Sequence, residues 1–186
     1  GSPENPYGEL GTAVNGRNSY CPTIYIMEGS YTLSLGWTNG NIIFEGLGDS
    51  PSDVKIRPDS GRMLEISNQA TVRFSNLTIQ DADSQGDGGA IRMIDANLEL
   101  DNVRMVNNSA SADGGAISSN ASTIQIQDSF FRGNTAGDDG GAIAVFESVL
   151  IDNGSTYKQN ISSKGGAIMV ESSDLSLTKF LIDNNT

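Results

Sequence analysis

The chain has no histidine, one cysteine, five prolines and one tryptophan among its 186 residues. Each scarcity closes off a class of chemistry. Without His, a Ser-His-Asp triad, a Cys-His dyad and a His-ligated zinc site are all excluded, and the commonest general base is gone. Cys21 alone cannot form an internal disulfide, so it is silent on redox compartment, and its expected role is that of a buried spacer. Cations are also few, with 11 Lys and Arg against 23 Asp and Glu and a net charge of −12. Such a surface repels phosphate backbones and anionic lipid, which argues against nucleic acid or a bilayer as the partner. No apolar run approaches the roughly 18 residues that mark a transmembrane helix, so no membrane insertion by this segment is expected.

What the chain does have is glycine, 22 residues of it. Gly-Gly-Ala-Ile begins at Gly88, Gly114, Gly140 and Gly165, in steps of 26, 26 and 25. A period this regular marks one structural unit copied and stacked. Within each unit three short runs alternate apolar and polar residues, giving each run one inward face. The first follows the glycines (Ala90–Met93, Ala116–Ser118, Ala142–Val145, Ala167–Val170). The second is Leu98–Leu100, Ile124–Ile126, Val149–Ile151 and Leu175–Leu177. The third is Val103–Met105, Ser129–Phe131, Ser155–Tyr157 and Lys179–Leu181.

Three strands in so short a period leave no room for a helix, and the Leu-x-x-Leu-x-Leu signature of leucine-rich repeats is missing. The remaining solution is an all-β, right-handed parallel β-helix of about six coils with three short strands each, the hand following the rule for parallel crossovers. Traced backwards, Met63–Ile66, Val72–Phe74 and Leu77–Ile79 read as a coil without the glycines. Ile24–Met27, Ile42–Phe44 and Val54–Ile56 read as an earlier one stretched by loops. At one inter-strand spacing per coil the stack is about 25–30 Å tall.

The chain therefore divides into residues 1–23, a tag scar (Gly1-Ser2) with an N-terminal cap; 24–87, irregular leading coils; and 88–186, the Gly-Gly-Ala-Ile coils, all within one β-helix domain. Tyr7–Val14 is the expected capping helix, with Leu10 and Val14 on one face, because exposed strand edges invite aggregation. No such cap follows at the C-terminus, so further coils or domains are expected beyond Thr186.

Two rows follow from the register. Ile79, Met105, Phe131, Tyr157 and Leu181 are expected to stack inside. Three residues later come Asn108, Asn134, Asn160 and Asn184, a structural asparagine ladder in which inward carboxamides satisfy backbone groups of adjacent coils. Ala82 holds the corresponding place in the preceding coil. The paired glycines are read as a tight turn needing positive φ; no helix or Lys follows, as a phosphate-binding loop requires.

Gly-Gly-Ala-Ile together with Phe131-Arg132-Gly133-Asn134 resembles the GGA[I/L/V] and FxxN repeats of the chlamydial polymorphic membrane proteins. The other copies replace the Phe with Met105, Tyr157 and Leu181. The resemblance covers residues 88–186. It implies an extracellular autotransporter passenger that acts as an adhesin, with protein or carbohydrate of a cell surface as partner. The leading half resembles the first coils of pectin-lyase-like folds, in Ile26-Met27-Glu28-Gly29-Ser30-Tyr31 and Ile43-Phe44-Glu45-Gly46-Leu47-Gly48. That architecture includes polysaccharide-active enzymes. However, the outward positions of the first strands are Arg92, Ser118, Ala144 and Met169, with no row of carboxylates, and Glu99 and Gln125 on the second strands are thin material for paired acid–base work.

Three surface features complete the reading. Asp87, Asp113 and Asp139 each precede a Gly-Gly pair, with Asp138 beside the last and Lys164 in the next coil. Stacked carboxylates repel, and the row is either a set of solvated turn residues or a calcium bridge between coils. Trp37, in the loop Gly36–Gly40, is a candidate for stacking on a sugar or partner, or for covering the side of an early coil. Asn-x-Ser/Thr triplets at Asn76, Asn107, Asn120, Asn153, Asn160 and Asn184 leave glycosylation open for a eukaryotic source. The reading is a non-catalytic module of a larger surface adhesin. The alternatives are a polysaccharide-active enzyme fragment and a structural spacer.

Overall fold

In the computed structural model, which describes residues 8–16 and 22–186, every strand pairing is parallel and joins one coil to the next. The first sheet stacks Leu35–Trp37, Leu64–Ser67, Ile91–Ile94, Ile117–Asn120, Ile143–Phe146 and Ile168–Glu171. The second runs from Thr23–Ile26 and Asn41–Gly46 through Thr71–Gln80, Asn97–Val106, Thr123–Gln127 and Val149–Asn153 to Asp174–Thr178. The third contains Gly29–Thr32, Val54–Arg57, the distal parts of Thr71–Gln80 and Asn97–Val106, then Phe130–Arg132, Thr156–Lys158 and Leu181–Asp183. The molecule is a β-solenoid of about six turns, as the repeat period requires.

The interior consists of rows in register. Ile42, Val72, Leu98, Ile124 and Leu150 stack on the second sheet, and Leu64, Ile91, Ile117 and Ile143 on the first, all at or near zero exposure. No coil could bury such a face alone, so neighbouring coils supply the core. Phe44 lies on Phe74 at 5.0 Å between ring centres, and Phe131 on Tyr157 at 4.8 Å, both nearly parallel, as one inter-strand spacing dictates. The cap is a helix at Leu10–Gly16, whose Leu10 and Val14 are buried against the first coil and which packs near Gly29–Thr32. Tyr7, Gly1-Ser2 and Cys21, which entered the sequence reading, lie outside the described residues.

Three expectations need correction. Thr23–Ile26 belongs to the second sheet, pairing with Asn41–Gly46, and the first strand of the next coil is Leu35–Trp37. Alternation in Ile24-Tyr25-Ile26 suits any sheet, so the phase was free to slip there, and Ser34 and Gly36 disguised a strand as a loop. Trp37 is consequently strand-borne rather than on a loop. It pairs with Ile66, is partly buried against the core, and its indole N–H donates to Gly40 O at 3.2 Å.

The second correction is at the far end. Ile182, not Leu181, lies in register with Tyr157; Leu181 pairs with Thr156 and is 57% exposed. The fourth asparagine of the ladder is likewise Asn185 rather than Asn184. One residue is dropped between Ile161, still paired 26 residues from Thr135, and Lys164, paired 25 from Asp139. Every later position then runs at 25.

The third concerns the coil before Gly88, read as lacking the glycine. Gly61 holds that place with φ +67, three residues before Leu64 as Gly88 (φ +66) is before Ile91, and Arg62 stands where the second glycine would be.

Candidate functional site

The corners come first because they determine what the outer surface can display. Each is a non-extended residue with positive φ followed by an inward side chain. Asn107, Gly133, Gln159 and Asn184 adopt φ of 54, 65, 56 and 52°, and each precedes a ladder asparagine. Asn184 therefore faces out because its backbone turns the chain, and Asn185 turns in.

At this corner Asn134 Oδ1 accepts from the Asn108 amide and carboxamide, both at 3.0 Å, while Asn134 Nδ2 donates to Met105 O and Asn160 Oδ1. Asn160 repeats the pattern with Phe131 O and Asn185, and the Ala82 amide ends the series on Asn108 Oδ1. Asn108, Asn134 and Asn160 have no exposed surface, so each unmade bond there would carry its full desolvation cost.

Two serine ladders went unread in the sequence. Ala96 N donates to Ser122 Oγ, Ser122 N to Ser148 Oγ and Ser148 N to Ser173 Oγ. Val103 N donates to Ser129 Oγ and Ser129 N to Ser155 Oγ. Their signal was available, since Ser122, Ser148 and Ser173 keep the repeat step, but serine is common enough here to hide it.

The paired glycines have two different causes. The first of each pair holds φ of 64–67°, and a Cβ there would run into a carbonyl three residues on, Ile117 O in the case of Gly114. At the second, a Cβ would meet the backbone of the next coil: at Gly115, Gly141 O and Thr135.

Directly before the glycines the aspartates stack through their backbones, with Gly88 N donating to Asp113 O and Gly114 N to Asp139 O. Their side chains are shared out separately. Asp87 lies 3.8 Å from Arg92 and Asp139 3.6 Å from Lys164, while Asp113 Oδ1 accepts the Asp139 amide at 3.0 Å. Asp138 points to solvent. Burial, followed by the charges of Asp87, Asp139 and Asp138, pushes the Asp113 carboxyl above its usual range, against the pull of that amide. Among the described residues no group of three or more acidic side chains is gathered around one point.

Two grooves lie on the outer faces. One, of about 530 Å³, follows the second sheet past Thr23, Glu45, Arg73, Asn76, Asp101 and Asn102. Its polar groups are largely occupied with one another: Arg73 pairs with Asp101 at 3.0 Å and Glu99 at 3.6 Å, and Asn102 Nδ2 donates to Asn76 Oδ1. The other, of about 460 Å³, lies on the first sheet beside Asp87 and Asp113, floored by Ser118 and edged by Ile94, Asn120 and Phe146. Trp37 borders neither. Inside the solenoid, Asp152 takes the inward place held by Leu100 and Leu177 in other coils. It is 1% exposed, accepts the Tyr157 hydroxyl at 2.7 Å on Oδ2, and leaves Oδ1 without a partner.

No helix among the described residues is long and apolar enough to cross a membrane. No curated protein and no solved structure matches the chain. Residues 102–120 and 128–145 match the Chlamydia polymorphic membrane protein repeat. Each stretch covers the third strand of one coil, its asparagine corner, the Gly-Gly turn and the first strand of the next coil. The match thus falls on the elements that build the ladder, and the chain carries repeats of the Chlamydia polymorphic membrane protein type, stacked as a parallel β-solenoid.

Proposed function

We propose that this segment is a non-catalytic module displayed outside the cell as part of a larger surface protein, and that it binds protein or carbohydrate on another cell. The match of two successive coils to the polymorphic membrane protein repeat carries this reading, since that family is one of outer-membrane surface proteins. The physics is compatible with it. Ladders and stacked rings hold the coils rigidly, strand residues alternate between core and surface, and outward positions are free to vary without cost to the fold. A strongly acidic exterior also keeps such a rod soluble.

The test is binding of the labelled chain to a panel of cells and polysaccharides, with calcium and with chelator. Saturable attachment to a cell surface is expected, and chelator should leave it unchanged, because Asp87 and Asp139 already face Arg92 and Lys164 and no three acidic side chains of the described residues gather at one point. Loss in chelator would restore calcium to the Asp87–Asp113–Asp139 row. A rod that bound nothing would be a spacer, and cleavage of a uronate polymer would make the chain an enzyme fragment.

A further inference from the structure

The first-sheet groove contains two groups whose chemistry is unfinished. Ser118 is 6% exposed, points outward between Arg92 and Ala144, and its hydroxyl has no partner among the described residues. Asp113 has no cation: the nearby Arg92 is committed to Glu65 at 3.2 Å and to Asp87. Among the described residues its carboxylate accepts one hydrogen bond, from the backbone amide of Asp139. A hydroxyl with no protein partner at the floor of a groove and a partly buried carboxylate among three others can both accept from an incoming donor.

Beside them lies an apolar edge. Ile94, Asn120 and Phe146 form one outward row on successive coils, with Ile94 37% exposed, Phe146 half-buried and Asn120 between them. An anionic head with an apolar flank matches a side chain that has a charged tip and a hydrocarbon stem. We propose that this groove receives a lysine or arginine side chain of a partner protein, its cation held by Asp113 and Ser118 and its stem laid along Ile94 and Phe146. The chain's negative field steers a basic surface towards it. A neutral sugar would leave the Asp113 charge uncompensated.

This inference rests on the surface-module reading and identifies the partner's chemistry. The probe is an acetylated, amidated tri-arginine peptide, titrated calorimetrically into the chain at low and physiological salt. Weak, salt-sensitive binding is expected. Asp113→Asn, which keeps the oxygen that accepts the Asp139 amide, and Phe146→Ser should each weaken it about fivefold or more. Asp174→Asn, the same charge change on the exposed second sheet, should alter it less than about twofold. Equal weakening by Asp113→Asn and Asp174→Asn, absence of peptide binding, or preference for maltotriose would each overturn the proposal. The cell assay separates the two ideas. If Asp113→Asn attaches to cells as well as the parent does, the groove fails and the adhesin reading stands. If the peptide binds in the groove but no cell is bound, the adhesin reading fails and the groove stands.

Discussion

The leading coils, up to Asp87, and the glycine-repeat coils after it solve the same problem in different ways. Both must turn a chain three times per coil without leaving backbone groups unpaired in a dry corner. The leading coils do it with individual ties. Asn76 Nδ2 reaches Gly46 O and Gly48 O, Thr78 Oγ1 reaches Pro51 O, and Arg62 reaches Ser84 and the carbonyls of Asp87 and Gly88. The repeat coils use ladders, where one residue type in one place serves two coils at once. Individual ties tolerate insertions such as the loop between Gly46 and Val54. Ladders enforce copying, and the one lost residue of the array falls between Ile161 and Lys164, at the far side of the asparagine corner.

The glycines offer the sharpest way to break this comparison. Gly61 and Gly114 share a φ of +67°, but a Cβ at Gly61 would meet nothing within 4 Å, whereas at Gly114 it would meet Ile117 O, its carbonyl carbon and Ser118 N. Gly61→Ala should cost about 1 kcal/mol, the price of the left-handed conformation alone. Gly114→Ala should cost about 3 kcal/mol or more, because rigid backbone cannot yield. Urea denaturation of both variants checks this, and equal losses would mean that the repeat turn relaxes as freely as the leading one.

Ladder and tie can be weighed directly. Asn134→Ala strips bonding partners from the Asn108 amide, Met105 O and two neighbouring carboxamides, all in fully buried surroundings. A loss of about 3 kcal/mol is expected. Thr78→Val removes one bond to Pro51 O, and about 1 kcal/mol should go with it. If Asn134→Ala were as mild as Thr78→Val, the ladder would be decoration on a core that holds without it.

The asparagine ladder was legible in sequence because Asn108, Asn134 and Asn160 recur at a constant step and only a buried corner gives them all a use. The glycines and the apolar rows were legible for the same reason: repetition multiplies a weak local signal. What failed lacked repetition or sat where it faltered. Leu181 and Asn184 were misplaced by one residue because the deletion precedes them, and both alternatives looked chemically suitable. Trp37 looked like a loop residue because its strand is three residues long beside Gly36. The first-sheet groove was invisible for a different reason. It joins the corner before Gly114 to a row spread over three coils, and only the register puts those side chains side by side.

Asp152 puts an ionisable group into the interior of a repeat coil, and removing it should stabilise the protein. Burial raises the Asp152 carboxyl above its ordinary value, against the opposing pull of Ser155 and the Tyr157 hydroxyl, and burial with the adjacent carboxylate pushes Tyr157 well up. A carboxyl whose folded pKa is raised adds stability in full below its unfolded value and loses it as pH rises through the folded one. The ionised form is therefore a burden at neutral pH. Asp152→Leu with Tyr157→Phe replaces both partners by apolar groups of similar shape, copying Leu100 and the Phe44–Phe74 stack. A gain of about 1–2 kcal/mol at neutral pH is expected, shrinking towards acid pH. A loss at neutral pH, in paired denaturation curves, would show that the buried hydrogen bond outweighs the charge.

The smallest expected effect concerns corners that lack both glycine and asparagine. Ala121 holds φ 47° before the ladder residue Ser122, in the place of Asp95, Glu147 and Ser172 in other coils. A left-handed Cβ costs on the order of 1 kcal/mol, less where a short polar side chain can bond locally, which alanine cannot do. Ala121→Gly relieves that strain but frees the unfolded chain, so only a few tenths of a kcal/mol should remain as net stabilisation. The sign is the informative part. A gain would mean that the corner conformation is imposed on Ala121 by the serine bonds on either side of it, Ala96 N to Ser122 Oγ and Ser122 N to Ser148 Oγ. A loss would mean that the methyl group packs usefully at the corner, and that the ladder coils tolerate varied residues there because each contributes contacts of its own.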